Sequence, residues 1–289
     1  MRKILLLSAF FITAALSVSC GSARVASRYT PAAQTASGDS ILTFIQITDT
    51  QIGFQDNSAH FRVSDSLMMC AVRAINHIRP ACVIHTGDLV NNFGNEEQKA
   101  IYTRLMSQID TSIPVFVVPG NHDIRGWTAE KHDRYVRFVG YDRFSEKIGD
   151  CAFIGFDSNC IRDNATDAEE EQFAWLEEEL KKAQGSKHIF LFCHCPVAMV
   201  ALYEADGHNN FPKGKRARIF EQPPRDSRHE HTTSTPASFF IILPTSIILL
   251  FWCFHYLHFN RAKIQKKSQN EKKGNFFSIF RIPPREHLI

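Results

Sequence analysis

Residue types that bind metal ions follow short apolar runs at four places in this chain. Asp49 and Gln51 follow residues 41–48, Asp88 follows 81–86, Asn121 follows 115–118, and His194 follows 188–193. Carboxylate and amide oxygens together with an imidazole nitrogen form a ligand set that suits Mn, Fe or Zn, and no thiolate is required. These residue types therefore predict a metal site.

The same residue types predict a reaction. A carboxylate can bridge two cations, and two divalent cations ~3.5 to 4 Å apart can activate a water molecule and neutralise the attacking and leaving oxygens of a phosphoryl group. His122, next to Asn121, would be placed to give a proton to the departing alkoxide, with Asp123 as a partner that orients it. The pattern favours hydrolysis of a phosphoester without a covalent intermediate.

Helical periodicity separates the apolar runs from one another. Residues 67–78 and 173–183 each place their apolar side chains on one helical face. Strand, helix and strand in succession predict parallel neighbours joined by right-handed crossovers, and such sheets bind ligands beyond the carboxyl ends of their strands. The predicted ligands would therefore meet at one edge. A further run, 151–156, ends at Asp157.

Four motifs resemble those of the calcineurin-like metallophosphoesterases. In chain order they are Asp49-Thr50-Gln51, Gly87-Asp88-Leu89-Val90-Asn91, Gly120-Asn121-His122-Asp123 and His194-Cys195-Pro196. The resemblance covers roughly residues 41–200 and implies an α/β fold, a sandwich of two mixed β-sheets flanked by helices. The implied roles are a first-metal ligand (Asp49), a bridging ligand (Asp88), second-metal ligands (Asn121 and His194) and a general acid (His122).

Position 51 departs from the usual pattern of that family, which has His there. Gln51 resembles the subgroup with an Asp-x-Gln first motif, some of whose members are protein phosphatases. Because Gln offers only a neutral amide oxygen, we expect the first metal to be held more weakly, or selected differently, than by an imidazole.

The fifth motif of the family, Gly-His-x-His at the end of another apolar strand, has no good match. Gly207-His208 lacks the second His, and His229-Glu230-His231 lacks both the Gly and the preceding apolar run. A solvated loop is the favoured interpretation of both candidates. The sequence thus predicts a C-terminally incomplete family member whose second sheet is incomplete and whose activity is impaired.

Two functions from different classes fit these features. The first is a phosphoesterase that uses two divalent metal ions (Mn, Fe or Zn) to hydrolyse phosphomonoesters or phosphodiesters, as a protein or small-molecule phosphatase. The second is a non-catalytic, membrane-anchored relic or binding module of the same fold. With 44% hydrophobic and 22% charged residues the chain is not disordered, and a net charge of +3 is too small to predict a nucleic-acid partner.

The first 40 residues predict export. Residues 1–19 have the charge and apolar pattern of a signal peptide, and the residues before Cys20 resemble a bacterial lipoprotein cleavage box, which would make Cys20 the lipidated first residue. Ordinary signal cleavage near Cys20 is the alternative. Residues 20–40 are typical of a flexible tether. We therefore expect a membrane-anchored protein of the bacterial cell envelope, facing the periplasm or the outside.

The sequence changes character after the expected metallophosphoesterase domain, residues 41–220. A linker, 221–236, leads to an apolar segment, 237–257, that is long enough to span a membrane. The basic tail, 258–289, would hold its far end on the cytoplasmic side. Pro244 and the Phe-rich composition of this part favour a different origin equally well, namely a shifted reading frame or a joined fragment.

Other His and Cys residues are expected to have packing roles. His85 lies inside an apolar run and is predicted to pack within its strand. Cys193 and Cys195 flank His194 and could be imagined as thiolate ligands. We expect them instead to be buried thiols that behave as small hydrophobic side chains.

Overall fold

Two four-stranded sheets flanked by helices make up the computed structural model, which describes residues 42–54, 62–199, 201–207, 210–221, 238–242 and 277–282. The strands are β1 (Leu42–Ile47), β2 (Cys82–His85), β3 (Val115–Val117), β4 (Phe144–Ile148), β5 (Cys151–Gly155), β6 (His188–Phe192), β7 (Ser238–Ile242) and β8 (Phe277–Ile282). The helices are α1 (Arg62–Ile78), α2 (Glu96–Met106), α3 (Ala129–Val139), α4 (Asn159–Arg162), α5 (Thr166–Lys182) and α6 (Lys213–Glu221).

Both sheets are mixed, as the family resemblance implied. In the first sheet the strand order is β3-β2-β1-β8, where β1, β2 and β3 run parallel and β8 runs antiparallel to β1. In the second sheet the order is β4-β5-β6-β7, where β4 and β5 form an antiparallel hairpin and β5, β6 and β7 run parallel. The parallel strands direct their carboxyl ends to one edge of each sheet.

Aromatic side chains fill the space between the sheets. Phe44 of β1 meets Phe153 of β5 with ring centroids 5.1 Å apart, and Phe153 stacks on Phe190 of β6 at 5.2 Å. All three rings are buried. The contact between Phe44 and Phe153 joins strands of different sheets and helps to fix the sandwich, whereas Phe153 and Phe190 are neighbours within the second sheet.

Helices cover the outer faces of both sheets through their apolar sides. Ile75 of α1 and Leu105 of α2 pack in one cluster with Ile45 of β1, and Leu176 of α5 packs in another with Ile189 of β6. The periodic segments of the sequence are confirmed as helices: α1 ends at Ile78, two residues before Pro80, and α5 ends three residues before Gly185, whose φ is +91°.

The structure adds one strand to each sheet from beyond residue 220, which the sequence patterns did not predict. β7 lies beside β6 and uses residues from the apolar segment 237–257, so Ser238–Ile242 belong to a strand and not to a helix. Among the described residues, none of the helices has the length and apolar character needed to span a bilayer. The remainder of that segment, residues 1–41 with Cys20, and the tail outside β8 lie beyond the described ranges.

Candidate metal centre

The predicted ligands lie on loops that leave the carboxyl ends of β1, β2, β3 and β6. The first two loops are joined directly by their backbones. The N–H of Asp49 donates to the carbonyl of Gly87 at 3.0 Å, and the N–H of Gln51 donates to the carbonyl of Asp88 at 2.9 Å. These bonds extend the pairing of β1 and β2 past the strand ends, so the two loops form one rigid unit.

Three ligand candidates on these loops have left-handed backbone conformations. The φ angles are +52° for Asp49, +35° for Gln51 and +56° for Asp88. Residues other than glycine rarely adopt such angles, and when they do the surrounding structure must hold them there. The inter-loop hydrogen bonds provide that restraint here. Three of the five described non-glycine residues with positive φ are therefore ligand candidates, and strained backbone of this kind is typical of a functional site.

Glycine is required where the loops after β2 and β3 approach each other. A Cβ atom added to Gly120 would lie 2.1 Å from the backbone nitrogen and 2.2 Å from Oδ1 of Asp88. A Cβ atom on Gly87 would lie 2.3 Å from the nitrogen of Gly120. Neither distance is possible for a real side chain, so the two motif glycines are what allows the Asp88 and Asn121 loops to meet.

Two carboxylates and an imidazole converge at the centre of these loops. Asp49, Asp88 and His194 each offer a ligand atom, and the three atoms lie within 4.8 Å of one another. Asp88 and His194 are buried and Asp49 is partly buried. Burial raises the pKa of Asp49, His194 opposes this effect, and the neighbouring Asp88 carboxylate adds to it. A bound cation would relieve this repulsion, so the donor set fits a metal.

The orientation of His194 also fits a metal ligand. Its Nδ1 lies 2.8 Å from the carbonyl oxygen of Thr86, which can only accept, so Nδ1 carries a proton. Its Nε2 faces two further acceptors, Oδ1 of Asn121 at 2.9 Å and Oδ1 of Asp88 at 3.4 Å. In the neutral imidazole Nε2 has a lone pair, so three acceptor atoms surround one point. A cation satisfies all three.

Gln51 lies beside the carboxylate that is shared by the two predicted metal positions. Its side-chain Nε2 donates to Oδ2 of Asp88 at 2.9 Å. Because Nε2 is used in this hydrogen bond, the amide oxygen of Gln51 is the atom that could bind a cation. Asp88 therefore presents Oδ1 toward His194 and Oδ2 toward Gln51, which suits a bridging role.

His122 lies at the rim of the centre with a fixed tautomer. Its backbone N–H donates to Oδ1 of Asp88 at 2.7 Å, and its Nδ1 donates to the carbonyl oxygen of Asn91 at 2.8 Å. Nε2 lies 4.0 Å from Oδ2 of Asp88, and 17% of the side chain is exposed. The exposed Phe54 meets the imidazole edge-on, with ring centroids 6.4 Å apart. Nε2 can therefore carry a proton at the border between the carboxylates and solvent.

Asp123 has a role different from the one expected. Its carboxylate accepts hydrogen bonds from the backbone nitrogens of Asp88 (2.8 Å), Leu89 (3.0 Å) and Gly120 (2.8 Å). It is fully buried; burial and the nearby Asp88 raise its pKa, while the three N–H donors oppose that rise. The expectation that Asp123 orients His122 was wrong, because the carbonyl of Asn91 does so and Asp123 clamps two ligand loops together.

His85 packs inside its strand, as predicted, and also links the first two ligand loops. Its Nδ1 accepts from the N–H of Gly87 at 3.2 Å, and its Nε2 donates to Oγ1 of Thr50 at 3.1 Å, which in turn donates to the carbonyl of Leu89. Burial lowers the pKa of His85 to about 3, with His194 adding to the effect. The imidazole is therefore neutral, which is the form that this bonding needs.

Cys193 and Cys195 are buried free thiols, in agreement with the sequence prediction. Burial raises the pKa of Cys195 to about 12 and that of Cys193 well above its ordinary value. A protonated thiol is a poor metal ligand. Neither residue belongs to the ligand group found among the described residues.

The structure brings together the predicted site residues that it describes, namely Asp49, Gln51, Asp88, Asn121, His122 and His194. The fifth-motif candidates His208, His229 and His231 and the lipidation candidate Cys20 lie outside the described residues. The backbone acceptors of Thr86 and Asn91 were missed, because a carbonyl group leaves no mark in the sequence. The clamp formed by Asp123 has a partial signal, since Asp123 directly follows the ligand-type residues 121–122.

Comparisons with known proteins give one family match and several similar proteins. A family model described as "Calcineurin-like phosphoesterase" matches residues 42–226. The chain is 30% identical over 171 residues to a probable glycerophosphodiester phosphodiesterase GpdQ of Arcobacter nitrofigilis, covering 57% of this chain and 61% of the relative. It is 29% identical over 163 residues to the serine/threonine-protein phosphatase CPPED1 of Mus musculus, covering 53% of this chain and 52% of the relative. The chain thus spans between half and two thirds of the length of these relatives.

Two solved structures are also similar. A dimetal phosphatase from Danio rerio has a TM-score of 0.47 and 15% identity, covering 63% of this chain and 76% of that one. The purple acid phosphatase PPD1 from yellow lupin has a TM-score of 0.46 and 16% identity, covering 61% of this chain and 34% of that one.

Proposed function

Because the chain belongs to the calcineurin-like phosphoesterase family, a family of hydrolases, we propose that its metal centre hydrolyses phosphomonoesters or phosphodiesters with two divalent cations. The observation that supports this most directly is the convergence of Asp49, Asp88 and His194 within 4.8 Å at the ends of strands from both sheets. Two relatives carry names of phosphodiester and phosphoprotein hydrolases, which is why both ester classes are included.

The ligands divide into two groups around Asp88. Asp49 and Gln51 would hold the first cation, and Asn121 and His194 would hold the second, with Asp88 between them. Mn, Fe and Zn suit this oxygen and nitrogen set. When bound, the two cations would supply the positive charge that activates a water molecule and stabilises the phosphoryl group.

His122 is proposed as the general acid. Its Nδ1 proton is held by the carbonyl of Asn91, so a second proton on Nε2 would make the imidazole cationic and ready to protonate the leaving oxygen. The position of Nε2 at the rim, beside the exposed Phe54, allows the leaving group to extend into solvent.

We further propose that activity is low in this chain. β7 is the parallel strand that follows β6 in the second sheet, and the residues after it are Leu243, Pro244, Thr245 and Ser246, which include no imidazole. The family resemblance implies a Gly-His-x-His motif after such a strand. Without it each cation loses ligands. This observation keeps the alternative function, a non-catalytic binding module of the same fold, as the second candidate.

Metal content tests the proposal. The purified chain is loaded with Mn, and the bound metal is counted in the wild type, in Asp88→Ala and in the control Asp133→Ala, which removes an exposed carboxylate on α3. We expect about two equivalents in the wild type and the control, a loss of both in Asp88→Ala, and slow turnover of an aryl phosphate. One equivalent or none in the wild type would contradict the two-metal proposal and favour the binding module.

Membrane attachment is proposed on the sequence alone. Cys20 would carry a lipid anchor that holds the domain at the outer face of a bacterial membrane. A second attachment through residues 237–257 requires Ser238–Ile242 to leave the sheet, because the same residues cannot form β7 and a spanning helix. Membrane fractionation of Cys20→Ala tests the anchor, and release of the protein into the soluble fraction is the expected result.

A further inference from the structure

The turn after β5 contacts two of the ligand loops, although it supplies no ligand. We call Asp157, Ser158 and Asn159 the β5 turn. All three residues are buried, with 1%, 0% and 0% of their surface exposed. The sequence marks Asp157 as a polar residue at a strand end, but the proposed reaction does not use it. The contacts of this turn explain why a carboxylate lies there.

Asp157 holds both ends of the segment that carries Asn121 and His122. Its Oδ2 accepts from the indole Nε1 of Trp127 at 3.2 Å. Its Oδ1 accepts from the backbone nitrogen of Asn159 at 2.8 Å and from Nδ2 of Asn159 at 2.9 Å. The same Nδ2 donates to the carbonyl of Pro119 at 3.2 Å. Segment 119–127 is therefore fixed at its first residue through Asn159 and at its last through the indole.

The neighbouring residue of the turn reaches the loop of His194. Oγ of Ser158 accepts from the backbone nitrogen of Cys195 at 2.9 Å. The turn is itself held by α5, because the backbone nitrogen of Asp157 donates to Oε1 of Gln172 at 3.1 Å. A rigid element of the second sheet thus contacts the loops of both proposed second-metal ligands.

The loops of the first-metal ligands are held differently. Asp49 and Gln51 are fixed by backbone hydrogen bonds to Gly87 and Asp88 within the first sheet. Contacts of the β5 turn are therefore selective: they reach the Asn121 and His194 loops and leave the Asp49 loop to the first sheet. Loss of these contacts should therefore disturb the Asn121 and His194 loops and leave the Asp49 loop unchanged, whereas a general loss of stability would affect all three loops.

We propose that Asp157 is a positioning residue that, through Asn159, Trp127 and the adjoining Ser158, sets the geometry of the second metal position and of His122. This inference rests on the proposed function and deepens it. Groups beyond the ligands commonly change metal affinity or activity by about 10- to 100-fold when they are removed. A comparable effect confined to one of the two metals is expected here.

The carboxylate of Asp157 is buried and accepts hydrogen bonds from Asn159 and Trp127. Among the described residues no Lys or Arg forms an ion pair with it, and burial, with the Asp142 charge adding to it, raises its pKa to about 6 against the opposing hydrogen bonds from Asn159. Replacement by Asn removes this buried charge. Asn can still accept from Asn159, but its amide group would face the indole N–H with a second donor. Asp157→Asn is therefore expected to fold while it loses the bond to Trp127.

Backbone amide exchange, measured by NMR without metal, tests the positioning directly. Asp157→Asn and Trp127→Phe cut the same hydrogen bond from its two sides, and Leu180→Ala is the control, because it removes buried packing under the second sheet without touching a ligand loop. We expect both bond-cutting variants to raise exchange in residues 119–127 several-fold and to leave residues 47–53 unchanged. Unchanged exchange in 119–127, or an equal rise in both segments, would overturn the proposal.

Titration with Mn supplies the second readout. Asp157→Asn should weaken one of two binding events by about 10- to 100-fold and leave the other within about twofold, whereas Leu180→Ala should leave both affinities unchanged. Equal weakening of both events would count against a selective role. A wild type that binds fewer than two Mn ions would refute the proposed function, and the exchange measurement would still decide the role of Asp157.

Discussion

His122 has one ring nitrogen engaged by the protein and one directed to the rim of the metal centre. The carbonyl of Asn91 accepts from Nδ1 at 2.8 Å, while Nε2 is 4.0 Å from Oδ2 of Asp88, beyond hydrogen-bonding distance. A side chain held in this way loses little freedom when it donates a proton. Its contribution should therefore depend on how much the leaving group needs that proton.

Replacing His122 by Asn should lower kcat by about 10²- to 10⁴-fold for an alkyl phosphoester, whose alkoxide must be protonated as it leaves. The loss should be much smaller for a nitrophenyl ester, because nitrophenolate is stable without a proton. Steady-state rates for both ester types measure the difference. The exposed His77→Asn on α1 is the control, and an equal loss for both esters would mean that His122 is not the acid.

Gly120 allows the loops after β2 and β3 to approach each other most closely beside Asp88. Its replacement by Ala should lower stability and weaken metal binding. The new Cβ would meet the backbone nitrogen and Oδ1 of Asp88, which cannot both move aside. Overpacking of this kind typically costs about 1 to 3 kcal/mol. Urea unfolding and Mn titration measure the two effects. Gly214→Ala in α6, where nothing lies within 4 Å of the added atom, should not lower stability and should leave Mn binding unchanged.

Side chains of the metal centre were predictable from the sequence because each ligand type follows a strand. The roles of Asp123 and His85 were less so. Both act through backbone groups of other loops, and the sequence does not indicate which N–H groups a buried carboxylate or imidazole will reach. The one indication in the sequence is local: Asp123 is a charged residue in the motif 120–123, whose neighbouring residues Asn121 and His122 already have predicted roles.

At the scale of secondary structure, an ion pair joins the first turn of α3 to the segment that follows the helix. His132 of α3 lies 3.1 Å from Asp142, which follows the helix, and its ring also lies against Trp127 at 5.6 Å. The hydrogen bond to Asp142 raises the pKa of His132. Burial alone would raise the pKa of Asp142, but His132 and Arg143 bring it below its ordinary value.

The stability that this pair contributes should depend on pH. The stability gained from charged His132 is complete below about pH 6.5 and is lost as the pH rises through the raised pKa of His132. The stability gained from ionised Asp142 is present above about pH 4 and is lost as the pH falls through the lowered pKa of Asp142. Asp142→Asn should therefore cost up to about 1 kcal/mol at pH 5.5 and less at pH 9. Urea unfolding at both values measures it, and a cost that does not fall at pH 9 would contradict the assignment.

Helices and parallel strands were predictable from periodicity, whereas β7 was not. Its residues, Ser238–Ile242, open an apolar run that has no alternation of polar and apolar residues. Such a run is compatible with a buried strand or with a buried or membrane helix, and periodicity cannot separate them. Pairing with β6 decides the outcome in the structure, and that pairing joins residues 50 positions apart, such as His188 and Ser238.

For the whole molecule, the proposed metal ligands are distributed unevenly among the carboxyl ends of the strands. β1, β2, β3 and β6 lead into proposed ligand residues, while β7 leads into Leu243 and Pro244. The second sheet therefore supplies only His194 to the proposed centre among the described residues. We expect this unevenness to limit metal affinity.

Introducing the missing motif should raise activity. The triple variant Leu243→Gly, Pro244→His and Ser246→His places two imidazoles directly after β7, and the triple variant Leu243→Gly, Pro244→Ala and Ser246→Ala is its control. We expect the first variant to bind Mn about 10-fold more tightly or better and to hydrolyse an aryl phosphate faster than the wild type. Equal affinities in the two variants would argue that β7 does not direct residues to the metal centre.

The two-sheet architecture was predictable only through the family resemblance, because the pairing of β8 with β1 joins segments at opposite ends of the described chain. Leu42 pairs with Ile282, and Ile47 pairs with Phe277. Local patterns contain no information about such a partner.

This pairing also bears on the order of events during synthesis. β1, which leads into the proposed first-metal ligands, leaves the ribosome long before β8, the strand that covers its outer edge. Until then the nascent polypeptide presents a bare row of amide and carbonyl groups that other chains can join. Chaperones that keep the emerging protein from self-association would accordingly matter most in the interval between the synthesis of β1 and that of β8.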